Sequence, residues 1–519
     1  MRLRPFVFVS VYLLVGYCSA LNPCAPRKFN QDSVVCVCNT TYCDDFEPIG
    51  VVPNSGVGAQ FTSSRDGFRF MKTNITTTNS VPANAVILSF NPTVRHQKIF
   101  GFGGAITDAA GINLNSLPPD LADNVIKQYY SYPNGIGYST ARIPIASCDF
   151  STHPYSYSDV DGDFNLTNFN LTTEDFTLKL PYLKKALTYT NSTVRFFGSP
   201  WSAPGWMKET GLMRGGGPLK GPVNGQYYQT WANYFVKFIQ AYMNQGIQIW
   251  GVTLQNEPNT GRALDFPWQT MYWNASMQRD FLRDLLGPML DQNFIWGVKK
   301  IILDDNRGNL PDWADTILAD PNAAKFVDMI GVHWYEDETK PASNLNDTYY
   351  KHPGVPMLYT EACAGWEGDE RYPLLGNWTR AEQYADDILT ALNNYVTGWN
   401  DWNIVLDVPG GPNWVGNTVD SSIIVNANTS EYYKQPLFFA MGHFSRFVRP
   451  NAVRVNSQLA SSNPSLEFAS FVNPDNTRVT VILNKDDSNT YKLAVSDVTK
   501  TSVYYVIDVP PKSLTSLVV

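Results

Sequence analysis

Between residues 98 and 403, short runs of β-branched and aromatic residues recur, each ending in polar positions. They fall at 98–104, 137–144, 194–199, 247–254, 300–304, 329–333, 357–360 and 398–403. Longer stretches with helical spacing separate them. Over 230–244, Trp231, Tyr234, Phe235, Phe238 and Ile239 share one face, and over 381–395 Ile388, Leu389, Leu392 and Tyr395 do the same. Apolar residues three and four apart mark an amphipathic helix. Alternating strands and helices predict parallel βα units. Eight units over about 300 residues predict an α/β fold closed into a (β/α)8 TIM barrel. An open doubly wound sheet is the alternative.

The flanks follow a period of two. Residues 50–97 and 452–519 are rich in Val, Thr, Ser and Asn and alternate, as in RVTVIL at 478–483. Antiparallel strands are expected there. A flank of 48 residues such as 50–97 would struggle to bury a core of its own, so the two are expected to pair in one discontinuous β-sandwich-like domain. The expected division is an export leader at 1–20 and a disulfide-knotted N-terminal β-region at 21–48 with 404–435 nearby. The β-domain takes 49–97 plus 452–519, and the catalytic barrel 98–403 plus 436–451. No repeat beyond the βα pattern and no low-complexity tract is visible.

Composition narrows the class. The 519 residues are 44% hydrophobic and 17% charged, which marks a core-forming protein rather than a disordered one. The formal charge of −8 includes no basic block, which argues against nucleic acid as a partner. The 14 Trp and 28 Tyr suit flat apolar ligand faces, sugars among them.

At the N-terminus Arg2 and Arg4 precede an apolar stretch over 6–15, and Cys18, Ser19 and Ala20 supply small residues for cleavage. The stretch is shorter than the ~20 apolar residues of a membrane span, and no later segment reaches that length. Loss of the leader leaves 37 basic against 47 acidic residues, a net charge of −10. A soluble, acid-adapted mature protein is expected. Export makes the crowded Cys24, Cys36, Cys38 and Cys43 a disulfide knot, since they lack the paired C-x2-C of zinc sites. Of the three connectivities, Cys24 with Cys36 and Cys38 with Cys43 closes two consecutive loops. Cys148 and Cys363 are expected to be free. Nine sequons (Asn39, Asn74, Asn165, Asn170, Asn191, Asn274, Asn346, Asn377, Asn428) offer glycan acceptors, of which only some need be used.

Several reaction classes lack their usual carriers. There is no P-loop, and the run at 101–106 misses the third glycine of G-x-G-x-x-G. H-E-x-x-H is absent, and five scattered histidines do not point to a metal site. The stretch 137–141 fails the last position of a G-x-S-x-G elbow. Two glutamates remain. Glu257 follows the fourth run, within TLQNEP at 253–258, and Glu361 follows the seventh, within LYTEAC at 358–363. They lie 104 residues apart, close to three βα units of about 35 residues. A lone glutamate at a strand end is ordinarily a cap or a surface charge. A pair at this spacing converges on the mouth of a barrel, where glycoside hydrolysis needs one carboxyl to protonate the leaving oxygen and another to attack or to activate water. Pro258 fixes the turn, and Asn256 can bond a ligand beside the acid.

These segments, with GFGGAITDAA at 101–110, ASCDF at 146–150, SPWSAP at 199–204, VHWY at 332–335, DWN at 401–403, GGPNW at 410–414 and YKQP at 433–436, resemble glycoside hydrolase family 30. The resemblance covers essentially the whole mature chain, cysteine knot included. It implies a retaining β-glucosidase that hydrolyses glucosylceramide to glucose and ceramide by double displacement, with no cofactor and no metal. Glu257 is the implied acid/base and Glu361 the nucleophile. Asp149, Trp201, Asn256, Trp402 and Asn417 are the implied sugar-binding shell, and Tyr335, Phe266 and Trp268 the implied aromatic mouth. Arg142 is expected to support Glu361 and hold its pKa down, so that Glu361 begins ionised while Glu257 begins protonated. A free cysteine that the family leads one to expect near Thr270 is absent.

The implied setting is the lysosome lumen, with secretion as the alternative. Membrane contact would be peripheral, with anionic lipid and a saposin-like activator as expected partners. Two other readings stand beside this one. A polysaccharide hydrolase of the same family would show an open polar groove, and an inactive sugar- or lipid-binding homologue would turn over no β-glucoside.

Overall fold

The computed structural model describes residues 21–190 and 194–519, so the expected export leader and the Asn191 sequon lie outside the described residues. Eight parallel strands close into a barrel: β1 (Gly101–Ala105), β2 (Thr140–Ile145), β3 (Arg195–Pro200), β4 (Ile249–Thr253), β5 (Lys299–Asn306), β6 (Met329–His333), β7 (Met357–Glu361) and β8 (Val396–Asn403). Each pairs with its neighbours in chain order, and β8 returns to β1. All eight runs fall on these strands. Strands covered by helices outside and by one another inside are buried on both faces, which explains near-continuous apolar runs rather than alternation. Lys98 is the exception, since it ends the β-domain strand Val86–Lys98 instead of opening the barrel.

The helices bear out the spacing. Helix Gln226–Asn244 buries Trp231, Tyr234, Phe235, Phe238 and Ile239, and Gly246, at φ +82°, turns the chain away behind it. Helix Trp378–Asn393 begins earlier than the apolar pattern because the Asn377 side chain accepts from the Arg380 N–H as an N-cap. It also ends before Tyr395, which takes a left-handed conformation (φ +68°) and stacks on Tyr349 with ring centroids 3.9 Å apart.

Strands from both flanks share one nine-stranded, closed antiparallel-rich sheet. The C-terminal strand Ser513–Val518 lies antiparallel to Val57–Ser64, and Val86–Lys98 bridges Val453–Leu459 and Tyr491–Asp497. Leu88, Phe90, Val455, Ile482, Leu493 and Leu517 fill the core of this domain. Helix Pro436–Ser445 is buried on every side where the two domains meet, and its His443 hydrogen-bonds both Ser63 and Ser516.

A third sheet joins Pro26–Lys28 and Val34–Asn39 to Glu431–Lys434, Ile423–Asn426 and Val405–Asp407. Disulfides Cys24–Cys36 and Cys38–Cys43 staple its N-terminal edge. Cys148 and Cys363 are free and buried. Among the described residues, no helix is long and apolar enough to cross a membrane.

Candidate active site

Polar side chains crowd the C-terminal ends of the barrel strands, where backbone strain also gathers. Ala146, Glu257, Leu303 and Asp304 all hold positive φ without being glycine, and β5 bulges against β6 between Leu303 and Asp305. Such residues persist only where their surroundings enforce them, and they cluster at functional sites. Here they turn Glu257 and Asp304 toward a common centre. One carboxylate oxygen of Glu257, one of Glu361 and a ring nitrogen of His333 lie within 4.8 Å of one another.

Arg142, fully buried on β2, organises the floor. Its Nη1 donates to Glu361 Oε2 in a short contact, and its Nη2 faces Asp304 Oδ2 (2.8 Å), Asn256 Oδ1 (2.8 Å) and Ser199 Oγ (2.9 Å). Asn256 therefore keeps its amide N–H groups for a ligand. Asp304, also fully buried, takes His333 Nε2 at 3.0 Å and the Thr360 hydroxyl at 2.7 Å. The other imidazole nitrogen meets Glu257 Oε1 at 3.2 Å. Tyr335 donates its hydroxyl to Glu361 Oε1 at 2.6 Å.

These contacts set the charges. Burial by itself would raise Asp304, but Arg142 and His333 beside it hold it well below the carboxylate range. Burial by itself would lower His333, but Glu361 and Asp304 push it up to about 10, so it is a cation. Glu361 departs from the expectation. Burial, helped by the charge of Glu257, lifts it above its ordinary value, and Arg142, His333 and the Tyr335 hydroxyl only reduce that rise. Arg142 stabilises the carboxylate without bringing its pKa below normal. The donor set Glu257, His333 and Glu361 has metal-like spacing, but Arg142 and a cationic imidazole already supply positive charge there, so the residues fit a metal ion poorly.

A cavity of about 250 Å³ opens above the pair. Asp149, Trp201, Asn256, Glu257, Tyr335, Glu361, Trp402 and Asn417, all singled out in the sequence, line it. Trp268 does too, whereas Phe266 stands behind it, edge-on at 4.6 Å. Asp149 accepts from Asn417 Nδ2 at 2.8 Å, and burial, with Glu361 nearby, raises its pKa to about 7. Trp201 and Trp402 stack on each other at 5.2 Å with the Arg142 guanidinium over both rings, so much of their faces is committed internally. Sequence reasoning passed over Asp304, His333, Trp366 and Arg371. His333 and Asp304 could have been found as polar residues closing otherwise apolar barrel strands.

A (β/α)8 barrel that brings two glutamates this close above a cavity walled by indoles, an amide and a buried aspartate is a glycoside hydrolase. Residues 99–448 match the glycosyl hydrolase family 30 TIM-barrel domain and residues 451–517 the glycosyl hydrolase family 30 beta sandwich domain. The chain belongs to glycoside hydrolase family 30. It is 41% identical over 492 residues to the lysosomal acid glucosylceramidase of Mus musculus, covering 94% of each chain. Among solved structures, SrfJ from Salmonella typhimurium superposes with a TM-score of 0.80 at 27% identity, over 89% of this chain and 99% of that one. The endo-beta1,6-glucanase BT3312 does so with a TM-score of 0.79 at 28% identity, with the same coverage.

Proposed function

We propose that the chain is a retaining β-glucosidase that hydrolyses glucosylceramide in the lysosome lumen. The observation that carries this reading is the approach of the Glu257 and Glu361 carboxylates to within 4.8 Å. Double displacement uses carboxyl groups about 5–5.5 Å apart, whereas inverting enzymes need about 6.5–9.5 Å to admit a water. Ionised Glu361 attacks the anomeric carbon as the bond to the ceramide oxygen breaks, and Glu257 gives that oxygen its proton. A water then attacks the glycosyl ester, Glu257 takes the water's proton, and glucose leaves with retained configuration.

The remaining groups have distinct tasks in this scheme. Asn256, oriented by Arg142, offers an N–H to the sugar 2-hydroxyl, and Asp149 accepts from two hydroxyls. Tyr335, Trp268 and Trp366 line the mouth on the ceramide side, and the Trp268 loop carries the exposed Leu264 toward solvent. Peripheral contact with anionic lipid and help from a saposin-like activator fit a soluble enzyme whose substrate sits in a bilayer. Mass spectrometry after trapping with a 2-deoxy-2-fluoro glucoside tests the roles, and label on any residue but Glu361 refutes them. Turnover of glucosylceramide should exceed that of β-1,6-glucan and xylan. The opposite ranking would favour a polysaccharide hydrolase.

A further inference from the structure

Two loops form one wall of the mouth: 201–225, which follows β3, and 254–274, which follows β4. Backbone bonds seam them together, Gly215 N–H to Trp268 O (2.9 Å), Gly216 N–H to Ala263 O (2.9 Å) and Gly217 N–H to Gly261 O (2.8 Å). The seam presents Trp268 to the cavity, and its outer edge carries Leu212 and Leu264, 63% and 67% exposed.

Lys208 lies inside this seam with no exposed surface. Its Nζ donates to three backbone carbonyls, Met213 (3.0 Å) and Gly215 (2.7 Å) on its own loop and Thr270 (2.7 Å) on the other. The two loops also carry Glu209, Arg214, Lys220, Glu257, Arg262, Asp265 and Tyr272, and the helix behind them Tyr228. Among the described residues, none pairs with Lys208. Burying a cation without a counter-ion is costly, and an apolar side chain would fill the same space without that cost. What the ammonium adds is a match of three N–H donors to three carbonyls. A neutral amine has only two donors and a lone pair, so one carbonyl would face that lone pair unbonded. Burial draws the lysine down to about 7, which puts the change of state between acidic and neutral surroundings.

We propose that Lys208 is a positioning residue for the substrate mouth, whose ammonium clamps the two loops together and whose amine releases one of the three carbonyls. The mouth is then firm in acid and loosens toward neutral pH. Only the kinetic consequence rests on the glucosylceramide reading, since the clamp is a property of the fold.

Hydrogen–deuterium exchange on the wild-type chain at about pH 5 and pH 8, corrected for intrinsic exchange, tests the clamp directly. Exchange over 208–220 and 261–272 should be about tenfold faster at pH 8, the loss of one buried hydrogen bond, while the barrel strands stay unchanged. Equal protection at both pH values overturns the proposal. Lys208→Met keeps the length and removes every N–H, so both segments should exchange fast at either pH. Its KM for long-chain β-glucosides should rise and lose its pH dependence, with kcat on a small aryl glucoside unchanged. PH-dependent protection that survives in Lys208→Met also overturns it. If that variant does not fold, the wild-type exchange decides. Failure of the substrate reading would look different: no turnover of glucosylceramide, with the exchange shift intact.

Discussion

Replacing Glu257 with alanine should separate the two chemical steps. The side chain makes one hydrogen bond, to His333, and faces the cavity. Burial pushes Tyr335 and Cys363 well above their ordinary values, so neither gives up a proton readily. The whole contribution of the general acid should therefore be lost, about 10²–10⁴-fold, or roughly 3–5 kcal/mol of barrier, for a poor leaving group such as the ceramide alkoxide. A 2,4-dinitrophenyl glucoside leaves without protonation, so its first step should survive and the glycosyl-enzyme should accumulate. Stopped-flow should show a burst followed by slow turnover, with kcat and KM falling together. Azide should enter the vacated space beside cationic His333 and speed release as a β-glucosyl azide. Glu361→Ala should instead lose every substrate and yield the α-azide. Equal losses on dinitrophenyl and ceramide glucosides, or an α-azide from Glu257→Ala, would refute the assignment.

Burial lifts Asp149, Asp305 and Asp401 to about 7 each, so between about pH 4 and pH 7 the folded chain holds protons that the unfolded chain releases. That stabilisation is complete at low pH and declines as pH rises; His443, drawn down to about 3 by burial, and His96 oppose it, but Asp337 and Glu467 are raised as well, so calorimetry should give a higher Tm at pH 5 than at pH 7. Glu257 holds a φ of +42°, so Glu257→Gly should be about 1 kcal/mol more stable than Glu257→Ala by denaturant titration, and equal stability would show that the position is unstrained. Sedimentation with phosphatidylserine vesicles should increase from pH 7 to pH 5 as protonation weakens the repulsion between an acidic chain and an anionic surface, and pH-independent binding would remove electrostatics from the account.

The barrel was legible because its strands are buried on both faces and its helices on one, two patterns that differ in period. The glutamates were legible because Glu361 closes such a strand and Glu257 follows another by a few residues, with a proline directly after it. His333 closes such a strand too, but the pattern does not single out Asp304. In the run at 300–304 and its continuation through Asn306, two aspartates and an asparagine follow one another, and only the bulge between Leu303 and Asp305 decides which of them enters the barrel. No period in the chain encodes a bulge. The protonation of Glu361 was out of reach for a different reason. Arg142 beside a carboxylate correctly announces attraction, but the net direction depends on how much water the fold removes from the same carboxylate, and that is a property of the packing around it. Asp304 and Glu361 both contact Arg142 and both lose their water, yet they move in opposite directions. Asp304 is bonded to both cations and to two hydroxyls, whereas Glu361 shares its site with a second carboxylate. A neighbouring carboxylate raises a nucleophile's affinity for protons in the free enzyme, and it is the same neighbour that must deliver a proton to the leaving group. Burial is the larger cause of the upward shift of Glu361, and holding Glu257 within reach of the bond it has to help break adds to it.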